Sequence, residues 1–306
     1  MNKVSVVTVN YNQALVTEEL LHSISTLNSY PDTEIIVIDN GSVINPVPQW
    51  QSKYPDIHFI RSESNLGFAG GNNLGIKAAT GDYLFLVNND TEFTSGLIES
   101  LAAVLDSHPT AGMVSPKIRF FHQPDIIQYA GFTPMNYFTA RNKRIGEYET
   151  DKGQYDGPAK PTGFADGAAM MVRKETVEKA GLMAEHFFLY YEEMDWCERI
   201  KRSGYVIWVE PGALIYHKES VSVGKRSSLK EYFMNRNRIL FIRRNAPLIA
   251  RFLFYFHFCC LVAPRNLFTY LRDKRPDLAQ NFIKAIWWNI THKKDSKDLG
   301  YSIQKI

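Results

Sequence analysis

Asn65-Leu66-Gly67-Phe68-Ala69-Gly70-Gly71-Asn72-Asn73-Leu74-Gly75, followed by the apolar run Tyr83-Leu84-Phe85-Leu86-Val87 and then Asn88-Asn89-Asp90, decides how this chain is read. A glycine-rich loop lets backbone N–H groups come close to a ligand, and an acid at the end of a buried strand suits a hard metal ion beside a diphosphate. Each half alone has an ordinary explanation, a turn before a helix and a cap after a strand. Together they point to a nucleotide-diphosphate site. The glycines lack the G-x-G-x-x-G spacing directly after a strand, and there is no G-x-x-x-x-G-K-[ST] loop, so neither generic nucleotide motif accounts for them.

Working outward, Val4-Ser5-Val6-Val7-Thr8-Val9 and Glu34-Ile35-Ile36-Val37-Ile38-Asp39 are short β-branched runs, and between them Leu20, Leu21, Ile24 and Leu27 recur at helical spacing. Ile57 to Ile60, a helix from about Gly70 to Ala79, and Tyr83 to Val87 repeat this strand-helix-strand unit. The first hundred residues therefore read as a mostly parallel sheet with helices on its faces. Ligands of such sheets bind beyond the carboxyl ends of the strands. That rule lines up Asn10-Tyr11-Asn12, Asp39-Asn40-Gly41-Ser42, the glycine loop and Asn88-Asn89-Asp90 along one edge.

Leu97 to Leu105 is helical in pattern and Gly112 to Ser115 strand-like, while residues 119–160 lose periodicity and read as long loops near a site. Thr162 to Val172, containing Asp166-Gly167, turns into a buried strand, and Lys174 to Ala180 is helical. Phe187-Phe188-Leu189-Tyr190-Tyr191 then delivers Glu192-Glu193-Met194-Asp195 to the start of a helix that Gly204 ends. Tyr205 to Val209 and Ala213 to His217 read as two strands around a Glu210-Pro211-Gly212 turn.

Composition supports a folded protein: 306 residues, 45% hydrophobic and 22% charged. Cys197, Cys259 and Cys260 are too few and badly spaced for a disulfide framework or a zinc site, and Met1-Asn2-Lys3 runs straight into the first strand, so a cytoplasmic setting is expected. The net charge of +3 hides an asymmetry. Residues 225–306 hold 17 Lys/Arg against 5 Asp/Glu, a net of +12, which leaves residues 1–224 at 18 against 27, a net of −9. The basic end is interleaved with the run from Phe252 to Ala263, flanked by Arg251 and Arg265 and by itself too short to span a bilayer. A segment lying on anionic lipid explains both its charge and its aromatics, whereas a buried terminal helix explains the aromatics alone. Nucleic acid is not an expected partner.

Acids in a first helical turn commonly offset the macrodipole, and Asp195 with Arg199 four residues on is a ready ion pair. Glu193 points about 100° round the helix from Glu192, so the two cannot share one task. The order Val6 to Asn12, Val37 to Ser42, Asn65 to Gly75, Asn88-Asn89-Asp90, Tyr191 to Cys197 and His217 resembles the family 2 glycosyltransferases of GT-A fold, especially the bacterial rhamnosyltransferase-like branch, over roughly residues 3–245.

The resemblance implies an α/β fold, a Rossmann-like mostly parallel mixed sheet flanked by helices with a C-terminal membrane-associating extension. Residues 1–95 would form the nucleotide-sugar half, 96–230 the acceptor and catalytic half of the same domain, and 231–306 a basic, aromatic helical tail. It implies inverting transfer of a sugar from a UDP- or dTDP-linked donor to a hydroxyl of a glycan or lipid-linked acceptor, on the inner face of the plasma membrane. Asp39 would bind nucleobase or ribose, with Asn10, Asn12 and Asn89 in the same pocket. Asn65, Gly67, Phe68, Gly71 and Asn72 would pack under the donor. Asp90 would hold Mg²⁺ or Mn²⁺, and His217 would add a further metal ligand.

Glu193 matches the catalytic base of that family, with Glu192 next if the helix register is off by one and Asp195 third. Asp166, Gly167, Trp196 and Arg236 would lie near donor sugar or acceptor. Two positions depart from the pattern: Asn88 stands where the metal motif has its first acid, and Glu193 where the family usually has Asp. Those departures leave open a glycan-binding scaffold subunit. A nucleotidyltransferase would need a basic Gly-rich loop near residue 10, where Asn10-Tyr11-Asn12-Gln13 stands.

Overall fold

The computed structural model describes residues 2–218 and 227–302; residues 219–226 and 303–306, which fall inside the second and third expected stretches, lie outside them. Strands β1 (Val4–Asn10), β2 (Thr33–Asp39), β3 (His58–Arg61) and β4 (Tyr83–Val87) alternate with helices α1 (Ala14–Leu27), α2 (Val47–Lys53) and α3 (Gly67–Ala78). Then come β5 (Thr91–Glu92), α4 (Leu97–Ser107), β6 (Ala111–Phe120), β7 (Gln123–Tyr129), β8 (Lys160–Pro161), β9 (Ala169–Arg173), α5 (Lys174–Ala180), α6 (Glu192–Arg202) and β10 (Val206–His217). The remaining helices are α7 (Ser228–Asn245), α8 (Leu248–His257), α9 (Ala263–Arg272) and α10 (Pro276–Thr291).

One mixed sheet runs through the described residues in the order β3-β2-β1-β4-β9-β6-β10-β5, with β7 on β6 and β8 on β10. The first four strands in that order are parallel, and β9 lies antiparallel between β4 and β6. Because β9 runs backwards, its start at Ala169 sits beside Val87 at the end of β4. Asp166 and Gly167, just before β9, are thereby carried to the same edge as Asp39 and Asp90. The main hydrophobic core extends from Val4 to Trp288, and a smaller cluster gathers Phe188, Tyr232, Phe233 and Ala285.

Three expectations change. The two strands expected around Glu210-Pro211-Gly212 are one strand, β10, both halves of which pair with β6 while the Pro-Gly segment is absorbed in a bulge between Glu210 and Leu214. The stretch 119–160 is not all loop: β7 pairs with the end of β6. Helix α3 begins at Gly67, inside the glycine loop, and the glycines serve packing. A Cβ on Gly75 would collide with Val7, one on Gly71 would meet Val9 Cγ1 at 2.8 Å, and one on Gly67, which has φ +73°, would collide with the Phe188 carbonyl. The N–H groups of Leu66, Gly67 and Phe68 are spent internally on Asn40, Asn65 and Phe188.

The C-terminal stretch holds four helices that differ in burial. Helix α7 is part of the domain, burying Ile239 to Ile242 in the main core, and α10 packs back on it through Phe282, Ala285 and Trp288. Between them α8, a π-helical turn (Phe258–Val262) and α9 form a continuous helix, Leu248–Arg272, of 25 residues. The apolar run is thus embedded in a helix that is long and apolar enough to cross a membrane by length and composition, which corrects the expectation that it is too short. Its Phe254 and Phe258 are buried against the domain, whereas Leu248, Ile249, Phe252, Phe256, Leu261, Phe268 and Leu271 are exposed.

Candidate active site

The ends of β1 and β2 carry a closed polar network. In the register of the parallel pair, Asn10 lies beside Asp39, and the Asn10 amide donates to Asp39 Oδ1 at 2.8 Å and to Ser42 Oγ at 3.0 Å. Asn10 Oδ1 accepts from Thr17, which also accepts from the Asn89 amide at 3.0 Å. The Asn12 N–H bonds Ser42 Oγ, and its side-chain oxygen accepts from the Val43 N–H. Asp39 is fully buried, and Arg61 pairs with it at 2.5 Å while donating to the Ser42 carbonyl. Sequence reasoning missed Arg61. The signal was there, since adjacent parallel strands put the ends of β2 and β3, Asp39 and Arg61, side by side.

Beyond β4, Asp90 is buried and its Oδ1 lies 3.1 Å from His217 Nε2. The other ring nitrogen of His217 is 2.9 Å from Gln128 Oε1, which fixes the ring orientation. The main chain closes the arrangement, because the Lys218 N–H bonds the Asp90 carbonyl. A carboxylate and one imidazole could offer a metal two protein ligands, and no group of three or more His, Cys, Asp or Glu poised for a metal occurs among the described residues. That donor set suits a divalent ion completing its shell with diphosphate oxygens and water rather than a closed structural site.

Helix α6 begins after a strained turn. Phe188, Tyr190 and Tyr191 have φ of +65°, +71° and +72°, values that cost a non-glycine residue about 1 kcal/mol or more each. Asn237 of α7 holds the turn: its amide donates to the carbonyls of Phe187, Leu189 and Tyr190 at 2.7–2.9 Å. Phe188 in turn accepts from the Phe68 N–H, which ties the turn to the glycine loop.

The three acids in the first turn of α6 separate cleanly. Asp195 is buried in ion pairs with Arg199 and Arg244 and accepts from the Asn245 amide, so although burial raises its pKa the cations hold it below the usual range. It is a structural acid. Glu192 is buried, its Oε2 has no hydrogen-bond partner among the described residues, and burial together with the Glu193 charge pushes its pKa well up. Glu193 faces a cavity of about 390 Å³ shared with Asp166, Gly167 and Arg144, and a second of about 760 Å³ beside α7. Burial raises its pKa to about 7; Asp166 adds to the shift, and main-chain N–H groups and Arg144 oppose it. Arg144, unforeseen because its loop has no periodicity, pairs with Asp166 and with Glu147 at 3.0 Å.

Gly167 sits against Glu193 and Phe68. Asn65 accepts from Asn40, and Asn72 donates to the Phe68 carbonyl. Two expected site residues are elsewhere. Trp196 is fully buried and donates to the Gly181 carbonyl, because its face of α6 packs on α5. Arg236 is fully buried over Trp288 and donates to the carbonyls of His186 and Phe187. Asp39 ends β2 and Asp90 follows β4 at one sheet edge, and Glu193 sits against Gly167 just before β9; Asp90 lines a different cavity, of about 1250 Å³, from those of Glu193.

The family model described as "Glycosyl transferase family 2" matches residues 5–180. The low-salt glycan biosynthesis hexosyltransferase Agl10 of Haloferax volcanii is 29% identical over 245 residues, 78% of this chain and 75% of its own. The N-acetylglucosaminyl-diphospho-decaprenol L-rhamnosyltransferase of Mycobacterium tuberculosis is 24% identical over 240 residues, 72% of this chain and 77% of its own. Among solved structures, GalNAc-T7 with UDP, GalNAc and Mn²⁺ superposes with a TM-score of 0.66 at 16% identity, covering 95% of this chain and 57% of that one. The expected GT-A architecture is the one found.

Proposed function

Because the chain belongs to glycosyl transferase family 2, we propose that it is an inverting enzyme that moves a sugar from a UDP- or dTDP-linked donor to a hydroxyl of a glycan or lipid-linked acceptor. The observation that carries this reading is Glu193: a carboxylate with a pKa near 7, fixed at the first turn of α6 between two cavities and adjoining the edge that carries Asp39 and Asp90.

In this reading Asp39, with Asn10, Asn12 and Asn89, takes the nucleoside, and the Asn65–Asn72 segment forms the floor under the donor. Asp90 and His217 hold the divalent ion, which when bound offsets the charge growing on the departing diphosphate. Glu193 accepts the acceptor hydroxyl's proton as that oxygen attacks the anomeric carbon from the face opposite the diphosphate. A base with a pKa near ambient pH suits that step. Glu192, whose carboxyl is pushed well above the usual range by burial and by the Glu193 charge, is the weaker candidate. Asp166 and Arg144 set the charge around Glu193.

The exposed apolar side of Leu248–Arg272, continued by Ile283, Trp287 and Ile290 of α10, lies on the inner surface of an anionic membrane. With Phe254 and Phe258 packed on the domain, this helix would be held along the bilayer rather than through it. A lipid-linked acceptor agrees with this and with the diphospho-decaprenol acceptor in the name of the mycobacterial relative. Titration calorimetry with UDP and dTDP, with and without Mn²⁺, tests the donor side: metal-enhanced binding of one nucleotide is expected, and binding of neither would refute the proposal.

A further inference from the structure

The 760 Å³ cavity runs from Glu193 along α7 to Asn266 and Tyr270 of α9, the helix whose other side is exposed and apolar. Its size falls in the range of small-molecule sites. Its walls carry cations that have no carboxylate partner among the described residues. Arg238 is 7% exposed and donates to the Thr139 carbonyl, and no ion pair to it occurs among the described residues. Arg141 has no side-chain hydrogen bond or ion pair in the described structure, yet it lies near enough for its charge to act on both Arg238 and Tyr191. Lys230 projects from the first turn of α7 over the Tyr190 ring, 6.0 Å from its centroid.

One acid of the lining is already engaged: Glu231 accepts from the Asn235 amide and from Tyr270. Holding the buried Arg238 guanidinium beside the exposed Arg141 without a carboxylate counter-ion is costly in a folded protein, and an anion entering the cavity relieves it. Arg144 does not serve here, since Asp166 and Glu147 hold it.

Resting on the acceptor side of the proposed function, we infer that Arg141, Lys230 and Arg238 form a subsite for the phosphate or diphosphate of a lipid-linked acceptor, separate from the donor's diphosphate at Asp90. The acceptor would then lie with its sugar hydroxyl at Glu193, its anion on the three cations and its chain leaving past Asn266 and Tyr270 toward the apolar surface of α9.

The test uses the full chain in neutral detergent with EDTA present, so that no metal site can hold a diphosphate, and farnesyl diphosphate as probe in calorimetry. Farnesyl diphosphate should bind, farnesol should not, and Arg141→Gln and Lys230→Gln should each weaken it by about tenfold, the order expected for a charge-assisted contact. Lys293→Gln, a distant surface charge, and Asp90→Ala should leave it unchanged. Nucleotide binding with Mn²⁺ should persist in Arg141→Gln and Lys230→Gln. Unchanged probe affinity in the double variant, or loss of binding in EDTA, overturns the inference. A double variant that loses phosphatidylglycerol vesicles as strongly as farnesyl diphosphate also overturns it, assigning the cations to lipid headgroups. Failure of the wild type to bind any nucleotide while the probe still binds through these cations would instead refute the donor chemistry alone.

Discussion

His217 Nε2 lies 3.1 Å from Asp90 Oδ1, and the opposite ring nitrogen is fixed by Gln128. Two residues 127 positions apart in the chain therefore face one point, with the imidazole already aimed by a third. If this point holds the divalent ion, Asp90→Ala should abolish the Mn²⁺ enhancement of nucleotide binding, and His217→Ala should reduce it. Gln128→Leu, which touches no ligand, should weaken Mn²⁺ support by about 10- to 100-fold, as removal of orienting partners commonly does. Calorimetric Mn²⁺ titrations at fixed nucleotide measure all three.

The glycines of α3 make a stability prediction independent of chemistry. Gly75→Ala forces a methyl into Val7 of β1, so overpacking should cost roughly 1–3 kcal/mol. Gly67→Ala adds a left-handed backbone to a collision with Phe188 and should be worse. Gly96→Ala, at φ +75° but with open space around it, should cost only about 1 kcal/mol of backbone strain. Urea unfolding midpoints rank the three.

Asn237 holds three carbonyls of the turn before α6. Asn237→Ala leaves them buried and under-satisfied, at a cost of about 1–3 kcal/mol. Turnover should fall more than this loss of stability explains, because Glu193 loses its fixed position, while nucleotide affinity holds. Kinetics below the variant's unfolding temperature separate the two effects.

Glu193 also predicts a pH dependence with a definite sign. Its folded pKa, about 7, lies above the ordinary value of 4.5, so the folded state holds the proton more tightly. Its stabilising contribution is complete below about 4.5 and is lost as pH rises through about 7. Glu193→Gln should therefore raise the melting temperature at pH 8 and change it little at pH 4.5, the gain amounting to about 1–3 kcal/mol for a partly exposed carboxyl. Transfer by the wild type should rise through the same interval as the base ionises.

The first half of the sheet was legible because its strands are uniformly apolar and its helices carry a 3.6-residue period: Tyr83 to Val87 and Lys174 to Ala180 fall where the pattern puts them. Pro211-Gly212 misled because a bulge and a hairpin turn use the same residues, and only pairing with β6 distinguishes them. The acids at strand ends were legible from the edge rule for parallel sheets. Arg144, Arg141 and the clamp of Asn237 were not, since each acts through a contact between segments that share no local pattern. Arg236 and Trp196 looked functional for the opposite reason: polar or aromatic types at a helix start or in a basic run give no sign of which side faces the core. The glycine loop was located correctly but its glycines answer to Val7, Val9 and Phe188.

The most direct test compares Glu193→Gln with Glu192→Gln, measuring sugar transfer and nucleotide–Mn²⁺ affinity on the same preparations. The account predicts that Glu193→Gln loses at least about 10²-fold in transfer with nucleotide affinity nearly unchanged, while Glu192→Gln keeps most activity. Full transfer by Glu193→Gln, with the loss falling on Glu192→Gln instead, would contradict it.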